Sequence, residues 1–211
     1  IETIKPTIII GVPRVFNKIY EGLNKKMQER GGVAKGLFYS GIDNGIRCRT
    51  LREAGRTPLM CAFKHSVISR LIFSKVRKKF GGNVRACLTA SAAIKPEVIE
   101  FFMALGIPLY EAYGLTETSP AVAMNSPEHY RIGSVGKPLE FIEVTIDTSV
   151  IEGDGEDGEI LARGPNVMKG YLNKPEQTSQ VITKDGWVRT GDRGYQDEEG
   201  FLYITGRIKE Q

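Results

Sequence analysis

The apolar positions in the first half of the chain recur mostly at helical spacing. An apolar stripe from Val15 to Leu23 predicts a helix that Pro13 opens in its first turn. The same periodicity predicts helices over residues 33–56 and 63–80. Ahead of them, the run PTIIIG at 6–11 is short, rich in Ile and bounded by Pro and Gly, which predicts a buried strand.

A strand, a helix and a second strand are predicted next. Val84–Thr89 and Gly106–Tyr113 have strand patterns, and Pro96 begins a helix over 96–105 between them. This spacing indicates a parallel pair with a crossover helix. Ligands bind beyond the carboxyl ends of such strands, which is where the segment after Tyr113 lies.

After about residue 126, short strands and turn signals replace the helical pattern. Strands are predicted at 140–146 and 158–163, a short helix at 175–182, and a connector at 205–211. We therefore predict an α/β protein, with a parallel-containing sheet flanked by helices plus a small β-rich lobe. The predicted division is an α/β lobe at 1–125, a β-rich lobe at 126–204 and the connector at 205–211.

Composition indicates an ordinary globular protein. The chain has 211 residues, of which 41% are apolar and 26% charged. No run of about 18 apolar residues predicts a spanning helix, and the first residues lack the pattern of a signal peptide. Because the chain starts at Ile1, we expect a partial sequence. Three widely spaced cysteines, Cys48, Cys61 and Cys87, predict neither a metal site nor a disulfide framework, as in a reducing, cytoplasmic compartment.

Charge is distributed unevenly. Residues 1–90 hold 18 Lys and Arg against 5 Asp and Glu, whereas 91–211 hold 11 against 20. A basic half favours nucleotide, coenzyme A or peripheral contact with an anionic membrane surface, and the alternative is a set of solvated helix faces. The basic residues follow helical patterns without an aromatic stacking platform, so no nucleic-acid partner is predicted. The oligomeric state is not predicted.

The segment YEAYGLTETSP at Tyr110–Pro120 concentrates the chemistry of the chain. Gly114 permits a close backbone approach to a ligand. The hydroxyl of Thr116 can donate to a phosphate oxygen, and the carboxylate of Glu117 can hold Mg²⁺ together with substrate phosphates. A capped turn, with Thr116 or Thr118 as N-cap, is the structural alternative.

Three motifs in order, YGLTET, GWVRTGD at Gly186–Asp192 and TGRIKE at Thr205–Glu210, resemble the adenylate-forming superfamily. PTIIIGVPRVFNKIYEGL and LIFSKVRKKFGGNVR resemble segments of its long-chain fatty acid–CoA ligases. The resemblance implies the adenylate-forming fold, with a barrel-like β-rich lobe. It covers the last part of the family's large N-terminal domain and ends at the hinge to a C-terminal domain. The superfamily's phosphate loop and catalytic lysine would lie outside this chain, so we expect the chain alone to be inactive.

The resemblance also implies site residues. Glu117 would hold Mg²⁺, Thr116 the α-phosphate and Asp192 both ribose hydroxyls, while Arg207 would contact the sugar and phosphate. Lys209 would be the hinge. The other positions implied to lie near the nucleotide, most of them beside the adenine, are Ser91, Ala92, Glu111, Ala112, Tyr113, Gly114, Leu115 and Met124. The ASAA turn at 90–93 and the pair Glu111-Ala112 depart from the glycine-containing sequences common among relatives.

The expected function is ATP-dependent activation of a long-chain fatty acid to acyl-AMP and then to acyl-CoA. The expected ligands are fatty acid, ATP or AMP, Mg²⁺ and coenzyme A. A ligase for a medium-chain, very-long-chain or aryl acid remains open, as does a non-catalytic nucleotide- or acyl-binding module.

Overall fold

The protein is described by a computed structural model that covers residues 2–56, 59–150 and 155–208. The chain forms two compact units, Ile1–Tyr110 and Glu111–Gln211. In the described residues, no helix combines the length and apolarity needed to cross a bilayer. The predicted division into an α/β lobe at 1–125, a β-rich lobe at 126–204 and a connector at 205–211 stays a prediction.

The first unit is built from helices and a parallel strand pair. Strand β1 (Ile8–Gly11) pairs in parallel with β2 (Ala86–Thr89), from Ile8 opposite Ala86 to Gly11 opposite Thr89. The chain between them forms α1 (Pro13–Arg30), α2 (Gly32–Glu53), α3 (Leu59–Ile68), a π-helical turn (Ser69–Phe73) and α4 (Ser74–Lys79). Helix α5 (Pro96–Ala104) follows β2. Proline occupies the first turn of both α1 and α5, as predicted.

Aromatic side chains fill the core of this unit. Phe38 meets Phe73 edge-on with 5.7 Å between ring centroids, and Phe16 meets Phe102 in the same way at 5.6 Å. All four rings are buried. Edge-to-face aromatic contacts at these distances add to the stabilisation that burial gives.

Two predictions for this unit are wrong. The predicted buried strand β1 is largely exposed: Ile8 is 56% and Ile10 77% accessible, because no described element covers that face. The expectation of no disulfide also fails, since Cys48 on α2 and Cys61 on α3 are bonded. The two helices pack side by side and bring the cysteine Cα atoms to 5.7 Å across 13 positions of sequence. Helix and strand periodicity carries no signal for such a pairing.

The second unit is rich in antiparallel strands. Strand β3 (Leu109–Tyr113) continues into it and pairs with β4 (Ala123–Met124), which pairs with β5 (Lys137–Pro138). A four-stranded sheet follows in the order β6 (Glu143–Asp147), β7 (Gly158–Arg163), β8 (Val188–Gln196) and β9 (Leu202–Arg207). Helix α6 (Pro175–Val181) lies between β7 and β8 in sequence. The α/β fold with a β-rich part is confirmed, although this sheet is open and not a closed barrel.

The first three residues of the predicted connector belong to a strand. Thr205–Arg207 belong to β9, where Gly206 lies opposite Arg193 and Arg207 opposite Asp192. Pairing with β8 makes these residues part of the strand. Their partners are thirteen or more positions away, so the local sequence pattern does not reveal the pairing. Residues 209–211 lie outside the described residues.

Candidate functional site

A tight turn carries the predicted phosphate and metal residues. It follows β3 directly, as a single 3₁₀ turn at Thr116–Thr118. Gly114 is required here because a Cβ at this position would lie 1.8 Å from the carbonyl oxygen of Pro120. The Thr118 hydroxyl accepts a hydrogen bond from the Leu115 amide at 3.0 Å and is fully buried. Thr118 therefore stabilises the turn, and the exposed Thr116 hydroxyl does not take part in it.

Asp192 is held by partners from two other strands. Tyr113 on β3 donates its hydroxyl proton to Asp192 Oδ2 at 2.7 Å. Arg207 on β9 places its Nε 2.8 Å from Oδ1. The Asp192 side chain is only 8% exposed, so both partners offset the cost of burying its charge. Burial raises the pKa of Tyr113 far above its ordinary value, and the Asp192 carboxylate acts in the same direction, so Tyr113 is a neutral donor.

The backbone beside Asp192 is shaped by Glu159 on β7. Glu159 Oε1 accepts the Gly191 amide at 3.1 Å, and Oε2 lies 2.9 Å from Arg189 Nη1. Gly191 has φ +68°, a left-handed conformation that favours glycine. Thr190 donates to the Ile160 carbonyl oxygen at 2.7 Å. The RTGD segment is therefore part of strand β8 with a local irregularity rather than a free turn.

A cavity of about 310 Å³ lies within the second unit. Its lining includes residues from five places in the sequence: Leu115, Glu117, Glu159, Tyr171, Thr190, Gly191 and Arg207. Three of the residues predicted from sequence, Leu115, Glu117 and Arg207, thus meet at one cavity. Asp192 adjoins them through its ion pair with Arg207.

The other predicted residues lie as follows. Glu111 and Ala112 are in β3, and Met124 in β4 lies opposite Ala112. Ser91 and Ala92 belong to the first unit, in the exposed turn after β2, and Ser91 has φ +77°. Their adenine contact stays a prediction. Lys209, the predicted hinge, lies outside the described residues.

Sequence reasoning missed Glu159 and Tyr171. Tyr171 donates its hydroxyl proton to Glu117 Oε1 at 2.7 Å. Both residues contact partners thirty or more positions away, and neither has a local pattern that marks it. Only knowledge of which distant residues contact each other would identify them.

The described side chains limit the kind of magnesium site that this chain can form. In the part of the chain that the structure describes, no three His, Cys, Asp or Glu residues cluster closely enough to hold a metal ion. Mg²⁺ bound to nucleotides usually takes only one or two protein carboxylates, the remaining ligands being phosphates and waters. The cavity is lined by two carboxylates: Glu159 is paired with Arg189 and the Gly191 amide, and Glu117 fits the role of a magnesium ligand in that kind of site.

Comparisons with known proteins identify the family of the chain. A family model described as AMP-binding enzyme matches residues 1–172. The chain belongs to the AMP-binding enzyme family. It is 38% identical over 207 residues to the long-chain-fatty-acid–CoA ligase FadD15 of Mycobacterium bovis, covering 98% of this chain and 32% of that protein. It is 36% identical over 208 residues to the long-chain-fatty-acid–CoA ligase ACSBG2 of Xenopus laevis, covering 98% and 28%.

Solved structures of AMP-binding enzymes match as well. The o-succinylbenzoate CoA synthetase MenE of Bacillus subtilis, in complex with its acyl-adenylate intermediate, matches with TM-score 0.53 and 36% identity, over 59% of this chain and 33% of that one. Apo MatB of Rhodopseudomonas palustris matches with TM-score 0.56 and 31% identity, over 68% and 30%. The adenylate-forming fold predicted from the motifs is confirmed. The chain spans about a third of the length of the curated relatives it matches.

Proposed function

We propose that this AMP-binding chain forms part of a long-chain fatty acid–CoA ligase that produces AMP. The observation that carries the proposal is the meeting of Glu117, Thr190-Gly191 and Arg207 at one cavity beside the buried Asp192. These residues belong to the three superfamily motifs. The ligases named for long-chain fatty acids, similar over 98% of the chain, support the fatty-acid substrate.

The proposed reaction has two steps. A carboxylate oxygen of the fatty acid attacks the α-phosphorus of ATP, the bond to the bridging oxygen breaks, and pyrophosphate leaves. The coenzyme A thiolate then attacks the acyl carbon, and AMP leaves with its bonding electrons. The residues of this chain contribute by positioning and by electrostatic stabilisation.

Each named side chain has a proposed part. Asp192 accepts the ribose hydroxyls, and Arg207 donates to the sugar and phosphate. Thr116 donates to an α-phosphate oxygen, and Glu117 holds the magnesium ion. A bound Mg²⁺ would offset negative charge on the phosphate oxygens. The predicted contacts of Ser91, Ala92 and Met124 with the nucleotide, the hinge at Lys209 and peripheral contact with a membrane belong to the same proposal.

The proposal is tested by pyrophosphate release in the native protein that contains this sequence. With ATP, Mg²⁺ and hexadecanoate, we expect release of one pyrophosphate per acyl-AMP before coenzyme A is added, and AMP release afterwards. The variant Glu117→Gln should lose most of the first step, whereas Glu143→Gln, an exposed carboxylate paired with Arg163, should retain it. Pyrophosphate release that is absent in the wild type, or equal in Glu117→Gln, would reject the proposal.

A further inference from the structure

Among the residues that the structure describes, the Glu117 carboxylate has one hydrogen-bond partner. Tyr171 donates to its Oε1 at 2.7 Å, and both side chains line the same cavity. Within the described ranges, Glu117 Oε2 receives no hydrogen bond and no ion pair. One oxygen of the carboxylate is thus fixed by a neutral phenol, and the other remains available to a ligand.

The segment that carries Tyr171 also holds the turn that carries Glu117. The Met168 amide donates to the carbonyl oxygen of Glu117 at 2.8 Å. Asn166 Nδ2 donates to the carbonyl oxygens of Thr118 and Ala121 at 2.6 and 2.7 Å. Four hydrogen bonds, counting that of Tyr171, therefore join residues 166–171 to the turn and to Ala121 just after it. This segment fixes both the backbone and the side chain of Glu117.

Tyr171 is itself anchored next to helix α6. Its amide donates to Thr178 Oγ1 at 2.9 Å, and the Thr178 hydroxyl donates to the Lys174 carbonyl oxygen at 2.8 Å. Gly170 has φ +145°, and a Cβ there would lie 2.7 Å from Thr178 Cγ2, so the chain passes closely over the helix. The position of the phenol is therefore set by the backbone of Tyr171 as well as by the hydrogen bond to Glu117.

We infer that Tyr171 is a positioning residue for Glu117, orienting the carboxylate so that its second oxygen can ligate the cation of a metal–nucleotide complex. This inference rests on the proposed function. A neutral donor suits the role, because a Lys or Arg in its place would add positive charge that opposes a cation.

Mn²⁺ is the probe for the test, because it also prefers oxygen ligands. Binding of Mn²⁺ is followed by electron paramagnetic resonance in the native protein containing this sequence, with an ATP analogue that has a methylene group between the α- and β-phosphorus atoms. Tyr171→Phe retains the ring and removes the hydroxyl. We expect it to weaken Mn²⁺ binding about tenfold, the lower end of the value of a hydrogen bond to a charged group. Hexadecanoate binding should not change.

Two further variants separate positioning from general damage. Tyr195→Phe is the matched control, because the Tyr195 hydroxyl has no hydrogen bond among the described residues and its ring stacks on Tyr203. It should bind Mn²⁺ like the wild type. In a Glu117→Gln background, Tyr171→Phe should cause no further weakening, since the carboxylate it orients is gone. Thr178→Val, which loosens the anchor of Tyr171, should weaken Mn²⁺ binding in the same direction as Tyr171→Phe.

The outcomes distinguish the inference from the proposed function. Suppose that the wild type binds Mn²⁺ with the analogue, and that Tyr171→Phe and Thr178→Val both bind it equally well. This result would overturn the inference and leave the proposed function standing. Equal weakening by Tyr171→Phe with and without Glu117 would also overturn it, because the effect would not pass through the carboxylate. Absence of Mn²⁺–nucleotide binding in the wild type would reject the proposed function itself.

Discussion

The hydroxyl of Tyr113 lies 2.7 Å from Asp192 Oδ2, although the two residues are 79 positions apart. This contact joins the YGLTET and RTGD motifs inside the second unit. Tyr113 was predicted to lie beside the adenine, and the structure adds that its hydroxyl holds the carboxylate proposed to bind ribose. The position of the Asp192 carboxylate in RTGD therefore depends on Tyr113 in YGLTET.

Tyr113→Phe should destabilise the chain. The substitution retains the ring but removes a donor from the buried Asp192 carboxylate, and we expect a loss of about 1–3 kcal/mol in the free energy of unfolding. Urea unfolding measures it, with Tyr195→Phe as control because the hydroxyl of Tyr195 has no hydrogen bond among the described residues. Equal stability of the two variants would mean that the Tyr113–Asp192 hydrogen bond contributes nothing.

Asp192→Ala should weaken the use of ATP in the native protein. Loss of charge-assisted hydrogen bonds to the ribose predicts an effect of about 10- to 150-fold on the apparent affinity for ATP. Glu143→Gln is the control, since Glu143 is an exposed carboxylate in the same unit. Circular dichroism verifies that the variant is folded. An unchanged dependence on ATP concentration would remove Asp192 from the site.

The sequence predicts local features well and distant contacts poorly. Helices α1, α5 and α6 begin at Pro13, Pro96 and Pro175 as predicted, because proline in the first turn is a signal carried by the helix itself. Strand β7 has the predicted bounds, Gly158–Arg163. The exposure of β1, in contrast, depends on which other elements pack against it. The residues of the strand itself do not give that information.

The same distinction applies to the site. The nucleotide roles of Glu117, Asp192 and Arg207 are predicted from the resemblance of their motifs to the adenylate-forming superfamily. Their supports, Tyr171 and Glu159, come from other segments, and no local spacing connects a donor to a carboxylate 54 positions away. The disulfide between Cys48 and Cys61 was missed for the same reason.

Reduction of that disulfide should destabilise the first unit. Cys48 and Cys61 are 13 positions apart, and closing a loop of this size contributes about 3 kcal/mol on the chain-entropy account. Urea unfolding with and without dithiothreitol measures the difference. A double variant, Cys48→Ser with Cys61→Ser, should have the lower free energy of unfolding seen for the reduced wild type, and dithiothreitol should not change it. A wild type that is insensitive to the reductant would contradict this prediction.

The buried thiol of Cys87 should make stability depend on pH in alkaline solution. Burial raises its pKa from 9.0 to about 11. Between these values the unfolded state loses a proton that the folded state keeps, so stability falls as the pH rises, and below about pH 9 the effect vanishes. From pH 9 to 10, the free energy of unfolding of the wild type should fall by about 1 kcal/mol more than that of Cys87→Ala. Parallel pH profiles for the two proteins would contradict the burial of this thiol in a low-dielectric environment.

Calorimetric titration with a hydrolysis-resistant analogue of hexadecanoyl-adenylate tests the central claim most directly. The claim is that the cavity formed by Glu117, Tyr171, Thr190 and Arg207, with Asp192 beside it, is part of a nucleotide site. The native protein containing this sequence should bind the analogue saturably, Asp192→Ala should bind it at least about tenfold more weakly, and Glu143→Gln should bind it normally. Absence of binding by the wild type, or equal binding by Asp192→Ala, would contradict the claim.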